Sequence, residues 1–303
     1  MTTLRGIMPA IVTPIDEHGS LNTASYERLL VRLYESGCHG MYVCGQTGEG
    51  LQLSPAVRER TAEVAIANTP PGRTAIVHVG AANTADAVRL ARHAAKAGAH
   101  AVSSLPPGSA YTLREVRSYY EAIAAAADVP VLLYYFPDFS ASIKTVEDVF
   151  DLCSIPGVVG LKFTDFDLYR LSLIQRAGHT IFNGRDEVCA AGILMGAHGG
   201  IGSFYNLVPE LFLAIYAHAQ AGQWAEARAA QDRVNDLIRV VLSFPALAAI
   251  KRLLTWSGID CGVPMEPRRA MTSDEEAALG RALEKAGFAP DGFLAQHLVG
   301  SSR

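Results

Sequence analysis

The stretch "GMYVCGQTGEGLQLSPAVRERTAEVAIAN", residues 40–68, decides the fold because it contains one complete unit of it. Gly40–Cys44 is a short apolar run that reads as a strand. Ser54-Pro55 is a helix start, a hydroxyl cap followed by proline at the first helical position. The helix it opens runs over Ser54–Asn68, and a glycine-rich loop joins it to the strand. The same order recurs along the chain. Strands are expected at Gly6–Pro14, Thr74–Val79, His100–Leu105, Val131–Phe136, Val158–Thr164, Thr180–Asn183 and Gly199–Phe204. Helices are expected at Thr23–Ser36, Thr84–Ala97, Thr112–Ala127, Val146–Cys153, Leu168–Ala177, Glu187–Met195 and Val208–Ala219. Gly37, Gly98, Gly178 and Gly196 stand where helices must turn back toward the next strand. Eight βα units in about 220 residues, with strands apolar on both faces, predict an α/β chain folded as a (β/α)8 TIM barrel. An open doubly wound sheet would use fewer strands and a G-x-G-x-x-G after the first, which this chain lacks.

Past residue 222 the alternation stops. Trp224–Phe244, Pro245–Trp256 and Ser273–Ala286 read as helices, with Cys261–Arg269 a loop between the last two. The expected organisation is a barrel over 1–222 and a C-terminal helical extension over 223–303 packed on it.

Composition narrows the class. The 303 residues are 50% hydrophobic and 18% charged, with a formal net charge of −4. Such a chain folds as a globular protein and carries no basic footprint for nucleic acid. Five cysteines, none in a C-x-x-C pair, argue against a disulfide framework or a zinc ribbon and predict reduced thiols in the cytoplasm. No export signal and no run long enough to span a membrane are expected.

In such a barrel, chemistry sits where the strands end at their C-terminal side. "VVGLKFTD" places a lysine in an apolar strand, and burying an ammonium is costly. Alternation puts Gly160, Lys162 and Thr164 on one face, with Leu161 and Phe163 on the other. If the large apolar pair faces the helices, Lys162 points into the barrel. A buried neutral amine attacks carbonyls and forms a Schiff base, whereas a strand-end lysine paired with a carboxylate is the competing reading. "VLLYYFPD" sends Tyr134 and Tyr135 to opposite faces, and either is a proton shuttle or a packing residue. Asp186 and Glu187 in "NGRDE" suit a helix start or a sugar hydroxyl. In "GGIGSFYN" three glycines allow close approach and Ser203 offers a hydroxyl. The loop Gly45–Gly50 does not fit a nucleotide P-loop, and Glu49 would repel phosphate. It can hold a small carboxylate through backbone N–H groups and Thr47, or Glu49 can instead bind backbone N–H groups and fix the loop.

"G-x-T-G-E" after the second strand, Y-x-x-P after the fifth and "GLK" in the sixth together resemble the pyruvate-dependent class I aldolases. That superfamily includes N-acetylneuraminate lyase and dihydrodipicolinate synthase. The resemblance covers the barrel and the C-terminal helices, and it implies roles. Lys162 is the Schiff-base lysine. Tyr134, three residues before Pro137 and 28 before Lys162, is the proton-transfer tyrosine. Gly45, Gln46, Thr47 and Gly48 receive the pyruvate carboxylate. Phe139 stands where the synthase branch has an arginine for a second carboxylate, so the lyase branch is closer. By that branch Thr164, Gly184, Asp186, Glu187 and Ser203 hold the polyhydroxy tail of a sugar acid. The implied reaction cleaves a 2-keto sugar acid, N-acetylneuraminate first among them, to pyruvate and an aldose such as N-acetylmannosamine. It needs no metal and no cofactor, and the assembly implied is a homotetramer. Alternatives are an aldolase or dehydratase acting on 2-keto-3-deoxy sugar acids, a divergent dihydrodipicolinate synthase, and a non-catalytic keto-acid-binding barrel. The chain departs from the family pattern at Gln46, at Asp138 and Phe139, and in "SLPPGSAYT", where Tyr111 is the tyrosine available.

Overall fold

A computed structural model describes residues 4–108 and 111–293. Eight strands alternate with eight helices, then three more helices follow. The strands are β1 (Gly6–Pro9), β2 (Gly40–Val43), β3 (Thr74–His78), β4 (Ala101–Ser104), β5 (Val131–Tyr135), β6 (Val158–Phe163), β7 (Thr180–Asn183) and β8 (Gly199–Gly202). The helices between and after them are α1 (Thr23–Glu35), α2 (Pro55–Ala67), α3 (Thr84–Ala97), α4 (Leu113–Ala127), α5 (Val146–Cys153), α6 (Leu168–Arg176), α7 (Cys189–Leu194) and α8 (Pro209–Gln220). All pairings are parallel, in the order β1-β8-β7-β6-β5-β4-β3-β2. A single parallel bridge, Ala10 to Tyr42, with Ile11 N–H donating to Tyr42 O at 3.1 Å, brings the two ends together and closes the barrel.

Two apolar layers follow from strand alternation. Met8, Tyr42, Ile76, Leu132, Tyr134, Phe182 and Ile201 fill the inside of the barrel. Leu133, Tyr135, Leu161 and Phe163 face outward into the larger layer beneath the helices. The helix starts are capped as their residues dictate: Ser54 accepts from Val57 N at 3.3 Å ahead of Pro55, and Thr112 and Glu115 form a reciprocal capping box. Gly98 closes α3 at φ 98°, a left-handed position that a side chain would strain. The five cysteines are buried free thiols. No helix among the described residues is long and apolar enough to cross a membrane.

The largest departures from the expected boundaries fall at the first strand, at the seventh helix and at the end of the ninth. The first strand stops at Pro9 rather than Pro14. Beyond it the ladder gives way to side-chain bonds, Val12 N–H to Asn206 Oδ1 at 3.2 Å and Thr13 Oγ1 to Gly48 O at 2.7 Å. The helix expected over Glu187–Met195 is a 3-10 turn, Asp186–Val188, followed by the short α7. The carbonyls of Asp186 and Glu187 are taken by Gln231 and Asn235 of a later helix, so the first turn tightens. The helix expected over Trp224–Phe244 ends at Val241.

The C-terminal helices are α9 (Trp224–Val241), α10 (Ala246–Trp256) and α11 (Ser273–Lys285). The expected extension runs to 303, so its last residues lie outside those described. Between α10 and α11 the segment 261–272 returns across the barrel mouth to the β2–α2 loop: Met265 N–H bonds Glu49 and Arg268 bonds Gln52.

Candidate active site

Neighbouring strands bring the central pair together. In the β5–β6 register Tyr134 lies opposite Lys162, so both side chains point inward at the same height. Lys162 Nζ donates to Tyr134 Oη at 3.1 Å. The lysine is 4% exposed and the tyrosine 3%. Lys162 Nζ also lies 4.3 Å from the Tyr134 ring centroid and 4.7 Å from that of Tyr42. Among the described residues it forms no ion pair. Tyr135, the other tyrosine of the strand, points outward, packs on Phe163 and bonds Arg170. Behind Tyr134 stands His78, edge-on at 6.1 Å, its imidazole kept neutral by burial and by the nearby charges of Arg58 and Lys162.

These groups open into a cavity of about 280 Å³ at the C-terminal ends of the strands. Gln46, Thr47, Thr164, Gly184, Asp186, Glu187 and Ser203 line it together with Lys162 and Tyr134. Thr47 and Ser203, from opposite ends of the barrel sequence, meet at 2.6 Å between hydroxyl oxygens. Thr164 Oγ1 is buried without a protein partner, and a Cβ at Gly184 would sit 2.1 Å from it. Asp186 takes Phe204 N–H on Oδ2 at 2.8 Å, while its Oδ1 is buried and unbonded. Gly202 is required there, since a Cβ would fall 1.7 Å from that oxygen. Burial pushes the Asp186 carboxyl up from 3.8 to about 7.

Gly45 and Gly48 do not line the cavity. They are glycine because the loop packs tightly: a Cβ on Gly45 would strike the Tyr42 ring at 2.6 Å, and one on Gly48 the Ile11 carbonyl at 2.9 Å. Cys44 and Glu49 flank the loop in left-handed conformations, φ 57° and 55°, which cost a side-chain-bearing residue strain. Thr47 and Gly48 donate their backbone N–H to no acceptor among the described residues. Tyr111 is exposed and away from this cavity.

Several lining residues escaped the sequence reading. Arg185 lies over the Phe136 and Phe166 rings, at 5.4 and 4.6 Å, and pairs with Asp138. The pair Asp138–Arg185 spans two loops and left no local pattern, although "NGRDE" put the arginine beside two site acids. Leu247 and Ile250 of α10 and Arg268 of the returning segment form the far wall. The acid of the glycine-rich loop, Glu49, faces away from the cavity. It is fully buried against Lys251.

The model of the dihydrodipicolinate synthetase family matches residues 3–286. The chain belongs to this family. Within the dihydrodipicolinate synthetase family, an N-acetylneuraminate lyase of Rhizobium meliloti (strain 1021) is 35% identical over 285 residues, covering 92% of this chain and 94% of that one. A Citrobacter koseri N-acetylneuraminate lyase is 33% identical over 92% of this chain and 97% of its own length. The solved sialic acid aldolase of Ruminococcus gnavus superposes with a TM-score of 0.89 at 28% identity, over 93% of this chain and 97% of that chain. Family kinship and barrel architecture therefore agree with the resemblance drawn from the motifs.

Proposed function

We propose that this chain is a Schiff-base aldolase that cleaves N-acetylneuraminate to pyruvate and N-acetylmannosamine. The observation that carries the reading is the buried Lys162–Tyr134 contact at 3.1 Å, in a cavity where the lysine has no carboxylate partner among the described residues. The lyases related to this chain support the substrate. In the open-chain sugar acid, Lys162 Nζ adds to the C2 carbonyl and water leaves, giving an iminium. Tyr134, having given its own proton to the departing water, takes the proton of the C4 hydroxyl. The C3–C4 bond breaks, its electron pair flows into the iminium, and the aldose departs. The enamine is protonated at C3 and hydrolysed to pyruvate and free lysine. The iminium is the electron sink, so the route requires neither metal nor organic cofactor.

The free N–H groups of Thr47 and Gly48, with the Thr47 hydroxyl, hold the keto-acid carboxylate. Gly45 acts by letting the loop pack, and Gln46 borders the same pocket. Thr164, Gly184, Asp186, Glu187 and Ser203 face the polyol tail. A carboxyl raised to about 7 is largely protonated in weak acid, so Asp186 can donate to a tail hydroxyl as well as accept. The chain acts as a homotetramer in the reducing cytoplasm, the latter in keeping with its buried free thiols.

A second reading, an aldolase or dehydratase for a different 2-keto sugar acid, draws on Arg185, which lies in the wall that would face the tail and pairs with Asp138 outside it. Borohydride reduction with and without pyruvate, followed by peptide mapping, tests the chemistry: a pyruvate-dependent adduct on Lys162 is expected, and no adduct on folded protein would overturn it. Turnover of N-acetylneuraminate against a panel of 2-keto-3-deoxy sugar acids separates the two readings.

A further inference from the structure

We infer that Glu49 and Lys251 form a positioning pair through which the C-terminal extension holds the keto-acid loop in its capturing shape; this rests on the Schiff-base reading above. Both side chains are fully buried, with Lys251 Nζ 2.5 Å from Glu49 Oε2. Glu49 Oε1 accepts Met265 N–H at 2.6 Å, and Lys251 Nζ donates to Val263 O at 3.1 Å. One ion pair thus ties the β2–α2 loop to α10 and to the returning segment. The Glu49 backbone is also the hub of the loop. Its N–H holds Gln46 O at 3.2 Å, and its C=O receives Gln52 and Leu53 N–H at 2.9 and 3.2 Å. Thr47 and Gly48, whose N–H groups are free, lie between Gln46 and Glu49.

The loop needs such a tie. Glu49 stands in a left-handed conformation that its own side chain disfavours, so contacts outside the loop must maintain it. Lys251 is adjacent on α10 to Ile250, which lines the cavity, and Arg268 of the same returning segment lines it too. The pair therefore fixes the carboxylate loop relative to the opposite wall. It touches no reacting atom. Its consequence is affinity for the keto acid rather than the rate of the bond-making step, because misplaced donors weaken capture before they alter Lys162.

The test uses the full chain and pyruvate as probe. Borohydride trapping on Lys162 is followed against pyruvate concentration for wild type, Glu49→Gln, Lys251→Met and the double variant, each held well below its own melting temperature. The expected result is a rise of about tenfold in half-saturating pyruvate for each single variant, with the limiting trapping rate within about threefold of wild type. The double variant should be no worse than the worse single, since both act through one contact. Leu279→Ala, a core truncation in α11 outside the cavity lining, is the stability-matched control and should keep wild-type half-saturation. Folded single variants with unchanged half-saturation, or an equal rise in the control, would overturn the positioning role. If the single variants do not fold, Lys251→Arg decides. It keeps the charge, and its longer fork should shift half-saturation in the same direction; wild-type behaviour there would leave the pair a folding element only. No adduct in wild type would overturn the Schiff-base reading and this inference with it.

Discussion

Among the described residues two lysines are buried, and they meet opposite company. Lys162 lies inside the barrel against a phenol and two aromatic ring faces. Lys251, on α10, lies against a carboxylate and a backbone carbonyl. An ammonium taken out of water must be paired or give up its charge. Lys251 is paired, so its nitrogen is committed. Lys162 has a hydroxyl and two ring faces around it and no counter-ion among the described residues, which fits the proposed attack on a carbonyl beside Tyr134. Burial alone does not make a lysine a catalytic candidate; burial without a counter-charge, beside a cavity, does.

The comparison breaks most directly at Lys162. Lys162→Ala should abolish N-acetylneuraminate cleavage while leaving the far-UV circular dichroism and cooperative melting intact. Appreciable turnover would mean that the other lysine, or no lysine, does the chemistry. Next in size is Tyr134→Phe, which keeps the ring and removes the proton carrier. A loss of about 10²–10⁴ in kcat is expected from steady-state assay, with the borohydride adduct still formed. Should kcat hold, the proton moves by another route and the 3.1 Å contact is packing.

Lys251 should behave in the opposite way. Lys251→Met leaves Glu49 buried without its counter-charge, and a loss of about 3–5 kcal/mol in urea unfolding is expected. Adding Glu49→Gln should recover much of it, because a neutral pair avoids the unpaired charge. A loss below about 1 kcal/mol in the single variant would place Lys251 with surface pairs, whose worth is of that order, and the contrast with Lys162 would dissolve.

How far each lysine was legible in the sequence follows from the range of its partners. Lys162 was readable because strand alternation is local: Leu161 and Phe163 on either side fix where it points. Its partner on the next strand came with the motif spacing. Lys251 shares a helix face with Leu247 and Leu254, a spacing that signals burial, yet its partner lies in a loop near the other end of the chain. No local pattern links α10 to Glu49, so the loop's two readings, a carboxylate site or a turn fixed by its own acid, stayed open until the fold closed. Arg268 and the Asp138–Arg185 pair were missed for the same reason. The barrel itself was legible throughout, since apolar strand and helical runs alternate eight times, with caps and closing glycines marking several of the units. Its errors fell where side chains from distant elements capture backbone groups, as Asn206 does beyond Pro9 and Gln231 does at Asp186.

Asp186 extends the contrast to a third way of carrying a buried ionisable group. It has neither the counter-ion of Lys251 nor the hydroxyl and aromatic faces around Lys162. Burial outweighs the Phe204 N–H bond, so the carboxyl keeps its proton up to about 7. The native state therefore holds a proton that the unfolded chain releases near 3.8, and stability must fall as pH rises between those values. The penalty is absent below the unfolded value and complete above about 7, where a rise of this size is worth at most about 4 kcal/mol. Asp186→Asn removes the titration while keeping an acceptor for Phe204. Its stability relative to wild type should climb from pH 4 to pH 7 and then level, read from urea midpoints across that window. Parallel curves for the two proteins would mean that Asp186 ionises normally through solvent reaching Oδ1. The cavity floor would then be wet at that corner, and the carboxyl would serve the sugar tail as acceptor alone. A climbing difference would instead support a protonated Asp186 in weak acid, able to donate to a hydroxyl that an ionised carboxylate could only accept from.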